Sequence, residues 1–355
     1  MDSLQKYLKK LDAIFISTRA NIVYLTGYNG FSEIERECFL LITKKKNYLI
    51  TDRRYSEAIK KSVKGYSVIE TGAHNFTKKN VSEFLKKNKI KKLGFEDNNL
   101  TVAEYNLLKK AAFLKPIDLS NIRIIKTKEE IKNIKLACKI GDQAFEFIMG
   151  KLKLGITEKQ IEHEMVNFIK SKNADISFKP IVAYGKNSSI PHHQTGRDKL
   201  KKNQIVLLDF GINLNNYCSD MTRTIFFGSA STEFKRMHRT VLEAQSKAIE
   251  FLNSTIINHK STTGKQIDMV ARDYTIEQGY PDIIHSVGHG IGIEVHESPH
   301  LSPNSRDKIQ AGMIFSIEPG IYLPNYGGVR IEDLVLVGKN GIEVITHSNR
   351  GIIEI

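Results

Sequence analysis

The runs Val206-Leu207-Leu208-Asp209-Phe210-Gly211 and Tyr217-Cys218-Ser219-Asp220-Met221-Thr222-Arg223-Thr224, joined through Asn213-Leu214-Asn215-Asn216, decide how this chain folds. Two strand-like runs flank a turn-like centre, the pattern of a β-hairpin. With the centre of symmetry between Leu214 and Asn215, Asp209 and Asp220 stand directly opposite each other, where Cβ atoms lie roughly 4.5–5.5 Å apart. Two like charges so placed repel, and one keeps its proton unless something compensates. A divalent cation is the obvious compensator, because hard cations take carboxylate oxygens. The alternative is that one Asp is a turn residue and the register differs.

Around this hairpin lies a chain of 355 residues, 41% hydrophobic and 26% charged. These values suit a soluble globular protein of two domains, or one large one. The start sets Leu4, Leu8 and Leu11 among lysines, an amphipathic helix rather than a signal peptide. No apolar run reaches the roughly 18–20 residues that span a bilayer. Cys38, Cys138 and Cys218 are far apart, odd in number and without CxxC spacing, which argues against a disulfide scaffold and points to the cytoplasm. The net charge is +14. The lysines are scattered between apolar positions without interleaved aromatics, so they read as solvated surface rather than a nucleic-acid face.

In the first third, Ala13–Ser17, Asn21–Leu25, Cys38–Thr43, Asn47–Thr51 and Lys92–Phe95 read as strands or their approaches. Arg54–Lys64 reads as a helix, and Thr101 to Glu104 is a capping box opening another. This small α/β domain holds no cluster of histidines and acids. Around Pro116–Ile125 the pattern changes. Helices follow Thr127 and Thr157, then strands ending in the opening hairpin. Helices again cover about Glu233–Leu252 and the segment after Thr263, then strands at Ile291–His296, Met313–Ile317 and Val329–Val337. Two helices and then sheet, twice, implies a duplication whose sheet segments face one cleft.

That second half supplies His289 among glycines, His296 seven positions on, Glu318 at the end of a strand and Glu332 on the same face as Arg330. The spacing of seven places His289 and His296 on opposite faces of a strand unless the glycines bend it. Each residue alone is also compatible with a structural polar role. Together, Asp209, Asp220, Glu318 and Glu332 balance two divalent ions in charge. One neutral histidine completes an N/O set suited to Mn, Co, Fe or Zn. A pair of ions is a standard hydrolytic arrangement.

The runs Asp209-Phe210-Gly211, Ser219 to Thr224, Gly288-His289-Gly290-Ile291-Gly292, Val295-His296-Glu297, Ile317-Glu318-Pro319-Gly320 and Arg330-Ile331-Glu332-Asp333 resemble those of the M24 metallopeptidases. The likeness is greatest to the Xaa-Pro branch, aminopeptidase P and prolidase. It implies an α/β (α+β) chain: a creatinase-like N-terminal domain over 1–122 and a pita-bread catalytic domain over 123–355 with an internal pseudo-twofold repeat. It also implies Asp209, Asp220, His289, Glu318 and Glu332 as ligands of two divalent metal ions, Mn foremost. Glu318, His296 and His192 would be catalytic, and His192, His285, His296 and Arg330 would hold substrate. The expected reaction is hydrolysis through a hydroxide shared by the two ions. The expected assembly is a homodimer with a peptide substrate and no nucleic-acid or membrane partner. Methionine aminopeptidase and a non-catalytic pita-bread protein are the remoter alternatives.

Two Xaa-Pro activities remain. A dipeptidase must hold the free carboxylate of its terminal proline, for which a bidentate Arg is favoured. Where the resemblance to prolidases would place that arginine, this chain has His300, with Arg306 nearby. A mostly neutral histidine holds a carboxylate weakly. The sequence therefore predicts an aminopeptidase releasing the residue before proline, with Xaa-Pro dipeptidase as the alternative.

Overall fold

The computed structural model describes residues 2–32, 35–71 and 78–355. The chain divides into two compact units, Met1–Arg123 and Ile124–Ile355.

In the first unit six described strands form one sheet, in the spatial order Tyr66–Thr71, Asn47–Asp52, Cys38–Thr43, Ala13–Ile16, Lys92–Glu96 and Phe113–Ile117. Ala13–Ile16 runs antiparallel to Cys38–Thr43 and parallel to Lys92–Glu96. Buried apolar side chains, Ile14 and Leu40 on one face and Phe15 and Leu41 on the other, explain why these runs read as near-continuous hydrophobics. The expected strand over Asn21–Leu25 is instead part of a helix, Arg19–Thr26. The buried Glu96 carboxylate accepts from the backbone N–H groups of Ser17 and Thr18 and from the Asn21 amide. An anion at a helix N-terminus is stabilising, and this long-range cap overrides the β-branched composition.

The second unit opens with helices Lys128–Met149 and Glu158–Ser171, each started by a Thr capping box worth about 1 kcal/mol. Strands Ile181–Tyr184, Gln204–Phe210 and Met221–Phe227 follow as an antiparallel sheet. Helices Thr232–Ile257 and Gly264–Glu277 then repeat the order. They lead to a sheet that includes Gly288–Gly290, Glu297–Leu301, Ile314–Ile317 and Asp333–Val337. Ile134, Cys138, Cys218, Ile291, Ile314 and Leu334 form a core cluster shared by the two halves.

The hairpin forms, but its centre lies between Asn215 and Asn216. Both have positive φ, 53° and 71°, as a two-residue type I′ turn requires. The pairs are therefore Leu214 with Tyr217 and Asp209 with Thr222, and Asp220 is offset from Asp209 by two places. A shift of two keeps every side chain on its face, so both acids still point the same way. A Cβ at Gly211 would collide with Ser177 Oγ and the Ser219 carbonyl, which explains the glycine after Asp209.

Two other expected strands are broken. The ladder over Ile291–His296 is confined to Gly288–Gly290, with a register irregularity after His289, and the chain turns back before Glu297. Val329–Val337 divides into Gly327–Arg330, paired with Gly320–Leu323, and Asp333–Val337, paired with Ile314–Ile317. At the break, Glu332 donates its backbone N–H to the Thr222 carbonyl at 3.1 Å, which ties the two halves together at that residue.

Candidate active site

Both halves contribute to one cavity of about 640 Å³. Asp209 is delivered by the first strand of the hairpin, and Asp220 by the irregular step before the second. His289 comes from the bulged strand, Glu318 from the end of Ile314–Ile317, and Glu332 from the break between two strands. All five line the cavity, with His192, His285, His296, His300, Arg330 and Lys179.

Within this set, Asp220, His289 and Glu332 present ligand atoms within 4.8 Å of one another. His289 Nδ1 lies 3.2 Å from the Gly290 carbonyl. A carbonyl only accepts, so Nδ1 carries the hydrogen there and Nε2 faces the acids. Nε2 is 3.2 Å from Glu318 and 3.7 Å from Asp220. Glu318 also accepts from Ser316 Oγ at 3.0 Å, and the same hydroxyl accepts from the His289 backbone N–H. Asp209 stands slightly apart and accepts from Arg330 Nη2 at 2.6 Å.

Each nitrogen of the Arg330 guanidinium has an acceptor in the protein. Nε donates to Thr222 Oγ1 at 3.1 Å and Nη1 to the Tyr322 hydroxyl at 2.9 Å. Tyr322 in turn meets His285 Nε2 at 2.8 Å, while His285 Nδ1 donates to the Ser286 carbonyl. Burial holds His285 and His296 below the usual histidine range, and for His296 the neighbouring His289 adds to this. The bend after the bulge brings the His289 and His296 rings to 4.3 Å between centroids, at 70°. The spacing of seven therefore does not separate them. His296 is anchored by its neighbour Glu297, whose carboxylate pairs with the buried Lys126 ammonium at 2.7 Å. On the other side Glu158, fully buried, accepts from Tyr184 N, Asn187 Nδ2, His193 and Gly196 N. It thereby fastens the loop that carries His192.

Thr222, Tyr322, Ser316 and Glu158 are not singled out by the sequence reading. Thr222 had a signal, since it is two places from Asp220 on a strand. Tyr322 and Glu158 act from the far side of other residues, and their roles need the tertiary contacts.

The electrostatics call for a cation. Asp220 Oδ1 and Glu332 Oε1 are buried without a hydrogen-bond partner, an expensive state for an oxygen that carries charge. Burial, and then the neighbouring carboxylates, push Asp220 and Glu332 well above the usual acid range. Burial alone would lower His289 and raise Glu318. Their mutual bond and charges win, setting His289 at about 9 and Glu318 at about 2. A histidine and hard oxygens, without sulfur, fit a divalent metal.

A family model for metallopeptidase family M24 matches residues 132–339, and one for the creatinase/prolidase N-terminal domain matches residues 1–134. The chain belongs to metallopeptidase family M24. Among M24-type relatives it is 38% identical over 352 residues to the uncharacterized peptidase YqhT of Bacillus subtilis, covering 97% of this chain and 96% of that one. A solved Xaa-Pro dipeptidase from Bacillus anthracis is 36% identical with a TM-score of 0.91, over 100% of this chain and 98% of that one. An X-Pro aminopeptidase from Thermotoga maritima is 31% identical with a TM-score of 0.87, over 100% of both chains. A prolidase from Pyrococcus horikoshii is 32% identical with a TM-score of 0.87, over 99% and 98%. This M24 chain is thus a metallopeptidase with a creatinase-type N-terminal domain and a pita-bread domain. No helix among its described residues is long and apolar enough to cross a membrane.

Proposed function

We propose that this M24 enzyme hydrolyses the bond before proline in Xaa-Pro peptides, with Asp209, Asp220, His289, Glu318 and Glu332 holding two divalent ions, Mn foremost. The observation that carries the reading is the pair of buried, unpartnered oxygens on Asp220 and Glu332, beside His289. Bound ions would supply Lewis acidity and a water of lowered pKa. Glu318, ionised in the metal-free site, takes a proton from the attacking water and passes it to the leaving proline nitrogen. His192 and His296 hold the scissile carbonyl oxygen as charge develops. Tyr322 keeps Arg330 and His285 in place, and Arg330 orients Asp209 from the wall of the substrate cavity. Three buried free cysteines suit a reducing compartment, so we place the enzyme in the cytoplasm; the homodimer rests on the family resemblance alone.

Of the two Xaa-Pro activities, dipeptidase now has the better support. The Xaa-Pro dipeptidase and prolidase structures are 36% and 32% identical to the chain. Their likeness outweighs the argument from His300. The aminopeptidase reading keeps one observation of its own, that His300, and among the described residues no arginine other than Arg330, lines the cavity. Metal-loaded enzyme assayed on Ala-Pro and Ala-Pro-Ala decides between them. A kcat/KM at least tenfold higher for the dipeptide, about 1.4 kcal/mol in the transition state, establishes a dipeptidase, and the reverse ratio an aminopeptidase. No cleavage of either peptide would refute the Xaa-Pro reading.

A further inference from the structure

We infer that the buried ion pair of Asp268 and Arg272 is a positioning device that holds His285 at the cleft. The inference rests on the Xaa-Pro reading and deepens it. Residues 280–287 are irregular and lie between the helix Gly264–Glu277 and the strand Gly288–Gly290. Backbone groups of such a segment must find partners outside it when buried. Asp268 and Arg272 stand four places apart on that helix, so they share a face, and both are buried. The Asp268 carboxylate accepts from Arg272 Nε at 2.7 Å and from Nη2 at 2.9 Å. This two-point fork fixes the guanidinium plane. The same guanidinium then serves the irregular segment: Nη1 donates to the Ile283 carbonyl, and Nη2 to the His285 carbonyl at 2.9 Å. Asp268 also accepts from the Val287 N–H at 3.1 Å. The backbone on both sides of the His285 ring is thereby pinned to one helix face.

The ring is set as a consequence. His285 Nδ1 donates to the Ser286 carbonyl at 2.8 Å, so Nε2 accepts the Tyr322 hydroxyl hydrogen, also at 2.8 Å. Tyr322 accepts from Arg330, which holds Asp209. A small shift of the backbone around His285 breaks this chain. Stability alone does not account for the pair, because a buried ion pair is often no more stabilising than apolar residues of similar volume. The first repeat has a counterpart. Glu158, fully buried on the second of its two helices, fastens the loop that carries His192. Each repeat thus sets a buried acid behind one cavity histidine.

The test compares Mn-loaded wild type, R272K, H285Q and the double variant on Ala-Pro and Ala-Pro-Ala, well below each melting midpoint. A lysine keeps the charge beside Asp268 but lacks the fork. D268N, which retains an acceptor for the Val287 N–H, replaces R272K if that variant does not fold. R272K should lower kcat/KM by about tenfold in the wild-type background. In H285Q it should lower it by no more than about twofold, the non-additivity of residues that act through one another. Histidine side-chain nitrogen NMR of the metal-free proteins, with His285 assigned through H285Q, should show one tautomer of that ring in wild type and its loss in R272K. Where wild type cleaves, unchanged kinetics, equal losses in both backgrounds or unchanged His285 signals overturn this inference and leave the Xaa-Pro reading standing. If wild type cleaves neither peptide, that reading falls and the NMR comparison alone decides: an altered ring supports the positioning role, and an unaltered one overturns it.

Discussion

Thr222 donates its hydroxyl hydrogen to Oε2 of Glu332 at 2.7 Å, and Oε1 of the same carboxylate has no partner. The hydroxyl accepts from Arg330 Nε, so its hydrogen is directed at Glu332. One carboxylate oxygen is thus occupied and the other is presented to the cavity. Hydrogen bonds behind metal ligands commonly change affinity by about 10–100-fold. Thr222→Val should weaken divalent-metal binding by that order, with little change in melting temperature for the metal-free protein. Calorimetric titration with Mn checks this, and an unchanged affinity would show the hydroxyl to be idle.

Metal binding should release protons. Burial and neighbouring acids hold Asp220 and Glu332 well above their ordinary values of 3.8 and 4.5. For such groups, stability is fully present below the unfolded pKa and is lost as pH rises through the folded one. The contribution of these two acids to the stability of the metal-free protein should therefore fall from acid towards neutral pH, and a divalent ion should offset that loss. Affinity should fall as pH is lowered. Asp209→Asn and Glu332→Gln should each lose metal and hydrolysis while helical circular dichroism persists. Full activity in protein shown to be metal-free would contradict the ligand assignment.

Glu158 offers a test of how the His192 loop is held. Its carboxylate accepts from four groups between Tyr184 and Gly196. Glu158→Ala strands several buried donors, each worth about 1–3 kcal/mol, and should lower stability by several kcal/mol. Glu158→Gln keeps the shape but puts an N–H where a donor pointed. If the loop orients His192, the milder variant should alter kcat/KM for Xaa-Pro peptides by about tenfold while metal affinity stays unchanged. A drop in melting temperature with unaltered kinetics would limit Glu158 to a structural role.

The parts of this fold that were legible in the sequence are those set by local chemistry. Thr101, Thr127 and Thr157 each form the capping boxes their spacing implies. The acids at 209 and 220 share a face because a two-place error of register preserves side-chain direction. The turn was misplaced because Asn tolerates positive φ, so Asn215-Asn216 is a better turn than Leu214-Asn215. The helix at Arg19–Thr26 was hidden because its cap, Glu96, is 75 residues beyond Asn21 in the chain. The spacing rule sets His289 and His296 apart only along an unbroken strand, and the irregularity after His289 supplies the bend that the flanking glycines allow.

His238 predicts an acid-sensitive step unrelated to metal. It is 1% exposed on the helix Thr232–Ile257, packed against Phe234. Its Nδ1 has no partner. Burial pushes its pKa down to about 4, against a weaker opposing effect from the Thr224 backbone hydrogen bond. The unfolded chain takes up the proton near 6.5. A depressed histidine contributes stability that is present above 6.5 and is lost as pH falls towards 4. Between pH 7 and 5 the loss from this one group is about 2 kcal/mol. His238→Gln is neutral throughout and keeps an N–H for the Thr224 carbonyl. It should be less stable than wild type at pH 7 through imperfect packing, yet lose about 2 kcal/mol less on acidification. Urea unfolding of both proteins at the two pH values measures the difference. Parallel losses would show that His238 stays neutral, or is protonated without cost, across this range.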